Sequence, residues 1–296
     1  MKPMFWCPVN VSEGRRPEIA DSVRAAVESC PGVILADLSS DSDHHRQVVS
    51  MVGGAEGLKE AVLKLFELAE REIDLVVHEG VHPRIGAVDV VPFVPLEGAT
   101  MADAVALAVD VAQAVAERFR LPVYLYEEAA RRPERRRLPD LRKGQLVGLA
   151  ERIATPEGQP DFGPACLHPQ LGASVIGARP PLTAFNVVLD SIDLEVGKAI
   201  ARELRQTVPG LRALALWLAS RQRVQISMNL IDPARIGPWQ AYQAVVEQAA
   251  RHGVSVLSSE LIGLVPLEVL LDVARQALKL EHIDRARVVE WHQWKL

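Results

Sequence analysis

Between residues 78 and 95 the chain reads His78-Glu79-Gly80-Val81-His82-Pro83-Arg84-Ile85-Gly86-Ala87-Val88-Asp89-Val90-Val91-Pro92-Phe93-Val94-Pro95. The His82 imidazole is followed by proline, by the fixed cation of Arg84 and by the Asp89 carboxylate, with glycines at 80 and 86. Pro83 pushes His82 away from helical backbone, and the glycines permit tight turns in which backbone approaches a ligand closely. An imidazole ordinarily titrates near pH 6.5, so one such side chain can accept and then return a proton close to neutrality. The spacing therefore predicts a reactive loop presenting His82. A strand over 88–95 follows, and because Pro92 and Pro95 cannot donate to a ladder they point to a sheet edge or a strand end, an edge beside a glycine loop suiting a cleft.

The elements that must hold such a loop are legible as periodicity. Strands are expected at 5–11, 33–38, 46–52, 73–77, 88–95 and 123–126, with helices at about 17–29, 56–70 and 100–119. Thr100 and Asp103 form a capping signal. Residues 127–173 read as short helix and loop. From Ser174 the pattern restarts, with strands at 174–178, 183–189, 211–218, 224–230 and 254–259. Helices over 194–206, from Pro238 to His252 and from Pro266 lie between or after these strands. Both halves repeat the order strand, helix, strand, strand, helix, strand, which is the split β-α-β unit. The expected fold is α+β: two ferredoxin-like subdomains of mixed or antiparallel sheet, 1–179 and 180–296, with helices on the outer faces and a ligand cleft between.

Composition narrows the function classes. The 296 residues are 49% hydrophobic and 24% charged, with a net charge of −5. That balance gives no general attraction for nucleic acid or an anionic membrane. One local cationic run, Arg131 to Arg137, is either a solvated loop or an anion site. The three cysteines contain no Cys-x-x-Cys pair, which suggests neither a disulfide framework nor a zinc site and fits a reducing cytosol. No signal-peptide core and no run of roughly 20 apolar residues is present, so a soluble cytoplasmic protein with small-molecule substrates is expected.

Cys7 to Arg15 (Cys-Pro-Val-Asn-Val-Ser-Glu-Gly-Arg), Pro31-Gly32, Asp43-His44-His45-Arg46 and His82 to Pro95 carry a family resemblance. Val123 to Tyr126, Pro160 to Pro164, Gly177-Ala178-Arg179, Ala184-Phe185-Asn186 and Ser227 to Leu230 extend it. Together they resemble the glutamate formimidoyltransferases, from about residue 5 to residue 275. The resemblance implies a one-carbon transferase of histidine metabolism that moves the formimino group of N-formimidoyl-L-glutamate to N5 of tetrahydrofolate. It implies the single-activity form, without the cyclodeaminase domain of vertebrate members, and a homodimer. In that family the active-site histidine lies in the His-Pro-Arg motif, here His82. Folate-binding segments fall on Gly163, Pro164, Ala165, Cys166, Leu167, His168, Pro169, Gln170, Leu171 and Gly172, and on Gly210, Leu211, Arg212, Ala213, Leu214, Ala215 and Leu216. The second is a few residues shorter than usual and lacks its lysine. Vertebrate-type members have Asp-x-Asp where this chain has Asp37-Leu38-Ser39, so Asp41 or Asp43 is left to supply the second charge.

The chemistry fits these residue types. Attack by a folate nitrogen on an amidinium carbon needs one proton removed and another delivered, a relay that one histidine can run. A carboxylate beside the cation would stabilise it, with Asp37, Asp41, Asp43 and Asp89 as candidates. Arginine forks suit the donor's carboxylates, and Arg46 and Arg84 are expected there. Asn10 and Asn186, near strand ends, are candidates for substrate contacts. Tetrahydrofolate is the expected co-substrate and no metal is expected. A metal-dependent hydrolase built on His44, His45, His78 and His82, a non-catalytic folate-binding protein and a transferase using formiminoglycine are the competing readings.

Overall fold

A computed structural model describes residues 2–232 and 235–293. The chain divides into two compact units, Met1–Pro180 and Pro181–Leu296.

In the first unit β1 (Phe5–Val11), α1 (Pro17–Glu28), β2 (Val33–Asp41), β3 (Arg46–Gly53), α2 (Ala55–Glu72) and β4 (Val88–Pro95) complete one split β-α-β round. To this are added α3 (Met101–Phe119), β5 (Val123–Glu127), the short helices α4 (Leu138–Leu141) and α5 (Gln145–Arg152), and β6 (Ser174–Ala178). The sheet order is β2-β3-β1-β4-β6-β5, antiparallel up to β4 and parallel from β4 onward. Alternate strand residues Phe5, Cys7, Val9, Met51, Val91, Phe93, Leu125 and Ile176 form one core with α1, α2 and α3. On β4, β5 and β6 the other residues of the alternation, Val90, Tyr124, Tyr126 and Val175, pack with Ile85, Leu141 and Leu149. α4 and α5 are thereby seated beside the loop that follows α2.

The second unit contains β7 (Thr183–Leu189), α6 (Leu194–Thr207), β8 (Leu211–Leu218), β9 (Arg223–Leu230), α7 (Pro238–Arg251), β10 (Val256–Ile262), α8 (Leu267–Ala277) and the short α9 (Val289–Gln293). Its sheet, β10-β7-β9-β8, is antiparallel throughout. The order repeats that of β4-β1-β3-β2. Phe185, Val187, Ala213, Ile226 and Met228 pack against Ile200 and Leu204 of α6 and Ala241 and Val245 of α7.

The structure corrects three sequence expectations. Strand β4 lies inside the sheet, between β1 and β6, rather than at an edge. It tolerates Pro92 because its ladder to β1 is interrupted between Trp6↔Val94 and Asn10↔Val90, where the register sets Pro8 opposite Pro92. Neither proline has an N–H to place in the ladder, so both missing donors fall at one break rather than two. Residues 73–77 form no strand: Asp74 Oδ1 accepts the Val76 N–H at 2.9 Å in a side-chain turn, and Val76 and Val77 are exposed. Strand 174–178 belongs to the first sheet, not to the second round.

Two local devices fix the segments around the His82 loop. Glu13, 2% exposed, accepts the N–H groups of Arg15 (2.8 Å) and Arg16 (3.1 Å) and the Arg16 Nε–H (2.7 Å) at the entry to α1. Burial alone would raise its pKa, but these hydrogen bonds and the Arg16 charge outweigh it and lower the pKa to about 2. Gly86 bridges to Gly172. A Cβ at Gly86 would stand 1.8 Å from the Ala173 carbonyl oxygen, so only glycine permits this approach.

Two outcomes are expected. Gly86→Ala destabilises the fold by about 2 kcal/mol or more, as forced overpacking does, and thermal unfolding measures it. Glu13→Gln costs about 2 kcal/mol at pH 7. Because the folded pKa is depressed, Glu13's contribution is complete above about pH 4.5 and is lost as pH falls through about 2. The stability gap between wild type and Glu13→Gln therefore closes towards pH 2, whereas a gap independent of pH assigns the effect to packing.

Candidate active site

The site is assembled from the end of β1, the turn between β2 and β3, the loop before β4 and the turn after α4. Pairing of β2 with β3 sets Asp41 opposite Arg46, and pairing of β3 with β1 carries Arg46 alongside Asn10. Arg46 Nη1–H donates to Asn10 Oδ1 at 2.9 Å and to His82 Nε2 at 2.8 Å. The accepting nitrogen makes His82 a neutral ring with its proton on Nδ1.

Arg84 organises the loop itself. It is 7% exposed, and its Nη2 donates to the His82 carbonyl at 2.7 Å and the His44 carbonyl at 3.2 Å while Nη1 meets His78 Nδ1. His78 in turn donates from Nε2 to the His45 carbonyl at 3.1 Å and stacks on the His45 ring, with centroids 3.8 Å apart. His45 takes a left-handed backbone, φ +48°, so His44 and His45 diverge. His45 Nδ1 donates to the Glu79 carbonyl at 2.8 Å, and Nε2 faces Glu13 Oε1 at 3.1 Å. His44, 3% exposed, sets its Nδ1 2.8 Å from Asp41 Oδ2, and its ring lies 6.1 Å from that of His82.

Charge is concentrated here. Burial, then Arg46, Arg142, His44 and Arg84, hold His82 well below the ordinary histidine pKa. Burial and the Arg142 and Arg84 charges bring Arg46 down to about 10 against the opposing pull of Asp89 and Asp41. Burial, Arg84 and His45 lower His78 to about 4. Burial would raise Asp41, but hydrogen bonds from His44 bring it to about 2. These shifts mark a site short of negative charge.

Of the residues expected from sequence, His82, Arg46, Arg84, Asn10 and Asp89 are brought together. Asp89, 2% exposed, accepts the Ile85 N–H at 2.8 Å and pairs with Arg142. Asp37 lies further up β2 and accepts the Ser39 hydroxyl at 2.6 Å. Residues 163–172 dock on the base of the His82 loop: Gln170 accepts the Leu75 N–H through its carbonyl, and Ala87 donates to the Leu171 carbonyl at 3.0 Å. Within that segment His168 Nδ1 accepts the Gln170 and Leu171 N–H groups. In the second unit, Gly210 precedes strand β8, where Leu211 and Ala213 are buried in the helix-side core, and Arg212, Leu214 and Leu216 alternate with them. Asn186 donates to Glu260 Oε1 at 3.1 Å, an oxygen that also accepts from Gln225 at 3.0 Å.

The arginine run at 131–137 is largely committed to structure. Arg135, 3% exposed, pairs with Asp161 at 2.8 Å and meets the carbonyls of Glu157 and Gln159, Arg132 holds the Pro156 carbonyl, and Arg136 pairs with Glu128. The four histidines at 44, 45, 78 and 82 do gather, but arginines occupy a ring nitrogen of both His78 and His82. Among the described residues no group of three or more His, Cys, Asp and Glu is placed to hold a metal ion, and no helix is long and apolar enough to cross a membrane. Sequence reading passed over Arg142, Glu13 and Glu260. No spacing signals them, because each reaches its cluster from a distant element.

Two family models match the chain: the N-terminal subdomain of the formiminotransferase domain over residues 4–179 and a formiminotransferase domain over 184–290. The chain is 37% identical to the glutamate formimidoyltransferase of Streptococcus pyogenes serotype M1 over 99% of both chains. It is 40% identical to that of Thermoplasma acidophilum over 96% of this chain and 95% of that one. It is 38% identical to the formimidoyltransferase-cyclodeaminase of Sus scrofa over 93% of this chain and 52% of that protein. With two domain models covering both units and near-full-length relatives at 37–40% identity, the chain belongs to the formiminotransferase family and is a transferase.

Proposed function

We propose that the protein transfers the formimino group of N-formimidoyl-L-glutamate to N5 of tetrahydrofolate, giving 5-formimidoyltetrahydrofolate and L-glutamate, a step of histidine breakdown. The observation that supports this best is a neutral, half-buried His82 held by Arg46 in a chain 37–40% identical over nearly its whole length to glutamate formimidoyltransferases. Residues 1–179 and 180–296 are taken as the two subdomains, and 163–172 and 210–216 as segments that contact folate. Two copies of the chain form the working unit in the cytoplasm, and no metal takes part.

In this reading N5 attacks the amidinium carbon and a new N–C bond forms. His82 Nε2, released by Arg46, takes the proton from N5. The resulting imidazolium has a low pKa among its cationic neighbours and is therefore a strong acid, so it delivers that proton to the departing glutamate nitrogen as the old C–N bond breaks. Asp41, held ionised beside His44, whose ring lies 6.1 Å from that of His82, is the carboxylate that offsets the transient imidazolium in this reading, in the role that Ser39 cannot fill.

Two measurements test the proposal. His82→Ala is expected to lower tetrahydrofolate-dependent glutamate release by about 100-fold or more, the usual worth of a proton relay. Turnover within a few-fold of wild type would remove His82 from the chemistry, and release of glycine from formiminoglycine in place of glutamate would replace the donor. The second measurement is the pH profile of kcat/KM. The lowered His82 pKa keeps the ring in its proton-accepting form as pH falls through the ordinary histidine range near 6.5, so the acid limb lies well below it. A limb at or above pH 6.5 contradicts this.

A further inference from the structure

Three guanidiniums, those of Arg46, Arg84 and Arg142, act on the half-buried His82 ring. They are not equivalent. Arg84 is used up by two backbone carbonyls and His78, so its place in the loop is fixed and its fork is closed. Arg46 spends Nη1 on neutral partners, Asn10 and His82. Arg142 comes from the turn after α4. Its Nη2 pairs with Asp89 Oδ2, while its Nε is buried with no hydrogen-bond partner. A buried N–H left without an acceptor is costly, and a guanidinium bearing one is poised for an oxygen ligand.

The turn that carries Arg142 is built to hold it still. Arg142 N donates to the Leu138 carbonyl at 3.0 Å, and the Arg152 guanidinium grips the carbonyls of Leu141 and Lys143 on either side. Leu141 and Leu149 anchor α4 and α5 in the small core that contains Ile85 of the His82 loop. Asp89 pairs with Arg142 through one oxygen and accepts the Ile85 N–H with the other, which ties the turn to the same loop. A firmly held arginine with an unsatisfied N–H, near a second arginine whose partners are neutral, is an arrangement made for an anion.

We propose that Arg142 is the specificity-determining residue for the amino-acid donor, binding one of its carboxylates through its guanidinium, with Arg46 completing the site. This deepens the proposed function and rests on it: the ligand class is an amino acid bearing a free carboxylate next to the transferred group. Arg84, by contrast, is a positioning residue. Carboxylate binding has a second effect, since neutralising Arg46 and Arg142 removes two of the charges that disfavour a proton on His82.

The experiment compares wild type, Arg142→Gln and Arg142→Lys. The lysine variant keeps the charge and the reach to Asp89 but loses the fork, so it separates ligand recognition from folding. Arg142→Lys is expected to raise KM for formiminoglutamate about tenfold and Arg142→Gln about 30-fold or more, as loss of a charge-assisted hydrogen-bonded pair does, with KM for tetrahydrofolate held within about twofold. Calorimetric titration with L-glutamate should weaken in parallel, and glutamate should move the His82 ring proton resonances of wild type more than those of Arg142→Lys. If a folded Arg142→Lys binds glutamate as wild type does, or if both KM values rise together, Arg142 only staples α4 to the loop and the assignment is overturned. If wild-type protein releases no glutamate, the donor itself is misassigned, a failure that is separate from the first.

Discussion

A single buried guanidinium holds the site in shape. Arg84 gathers the carbonyl of His82, the carbonyl of His44 and the ring of His78 around one planar group. The turn between β2 and β3 and two points of the loop before β4 are thus locked to one group. Loops have too few ladder bonds to define a side chain's position to a fraction of an ångström, and a buried arginine engaged by three acceptors supplies that definition. The stacked His45 and His78 rings, the left-handed turn at His45 and the docking of residues 163–172 are all arranged about this fixed point.

The cost of the arrangement is positive charge in a poorly solvated place, and that cost is put to use. Arg46, Arg84 and Arg142 face the carboxylates of Asp41 and Asp89, each already engaged by a partner inside the cluster. His82 is therefore kept neutral, and Arg46 has its own pKa lowered to about 10. An anionic ligand relieves both effects at once, which couples binding to the protonation of the ring without any movement of the chain.

Much of this was legible in the sequence, and what was not has physical causes. The His-Pro-Arg run marked the loop because proline and glycine constrain backbone locally, and the repeated strand and helix order gave both sheets. Pro92 misled the placement of β4, since its compatibility with an interior strand depends on Pro8, far away in sequence but opposite in register. Residues 73–77 have strand-like composition, yet Asp74 offers the backbone a turn that competes locally. Arg142 was missed because it follows a four-residue helix, and nothing near it in the chain marks it as different from the arginines at 131–137. Those neighbours carried the louder signal and turned out to be bracing for Asp161 and nearby carbonyls.

The facing prolines at 8 and 92 also act as an alignment key. If β4 slid by two residues along β1, the prolines would no longer face each other and the ladder would be broken at two places instead of one. A slide by one residue would turn the apolar side of the strand outward. The observed alignment gathers both missing donors into one break, so the two residues that form no ladder bond favour the register in which the strand stops, and with it where the preceding histidine comes to rest.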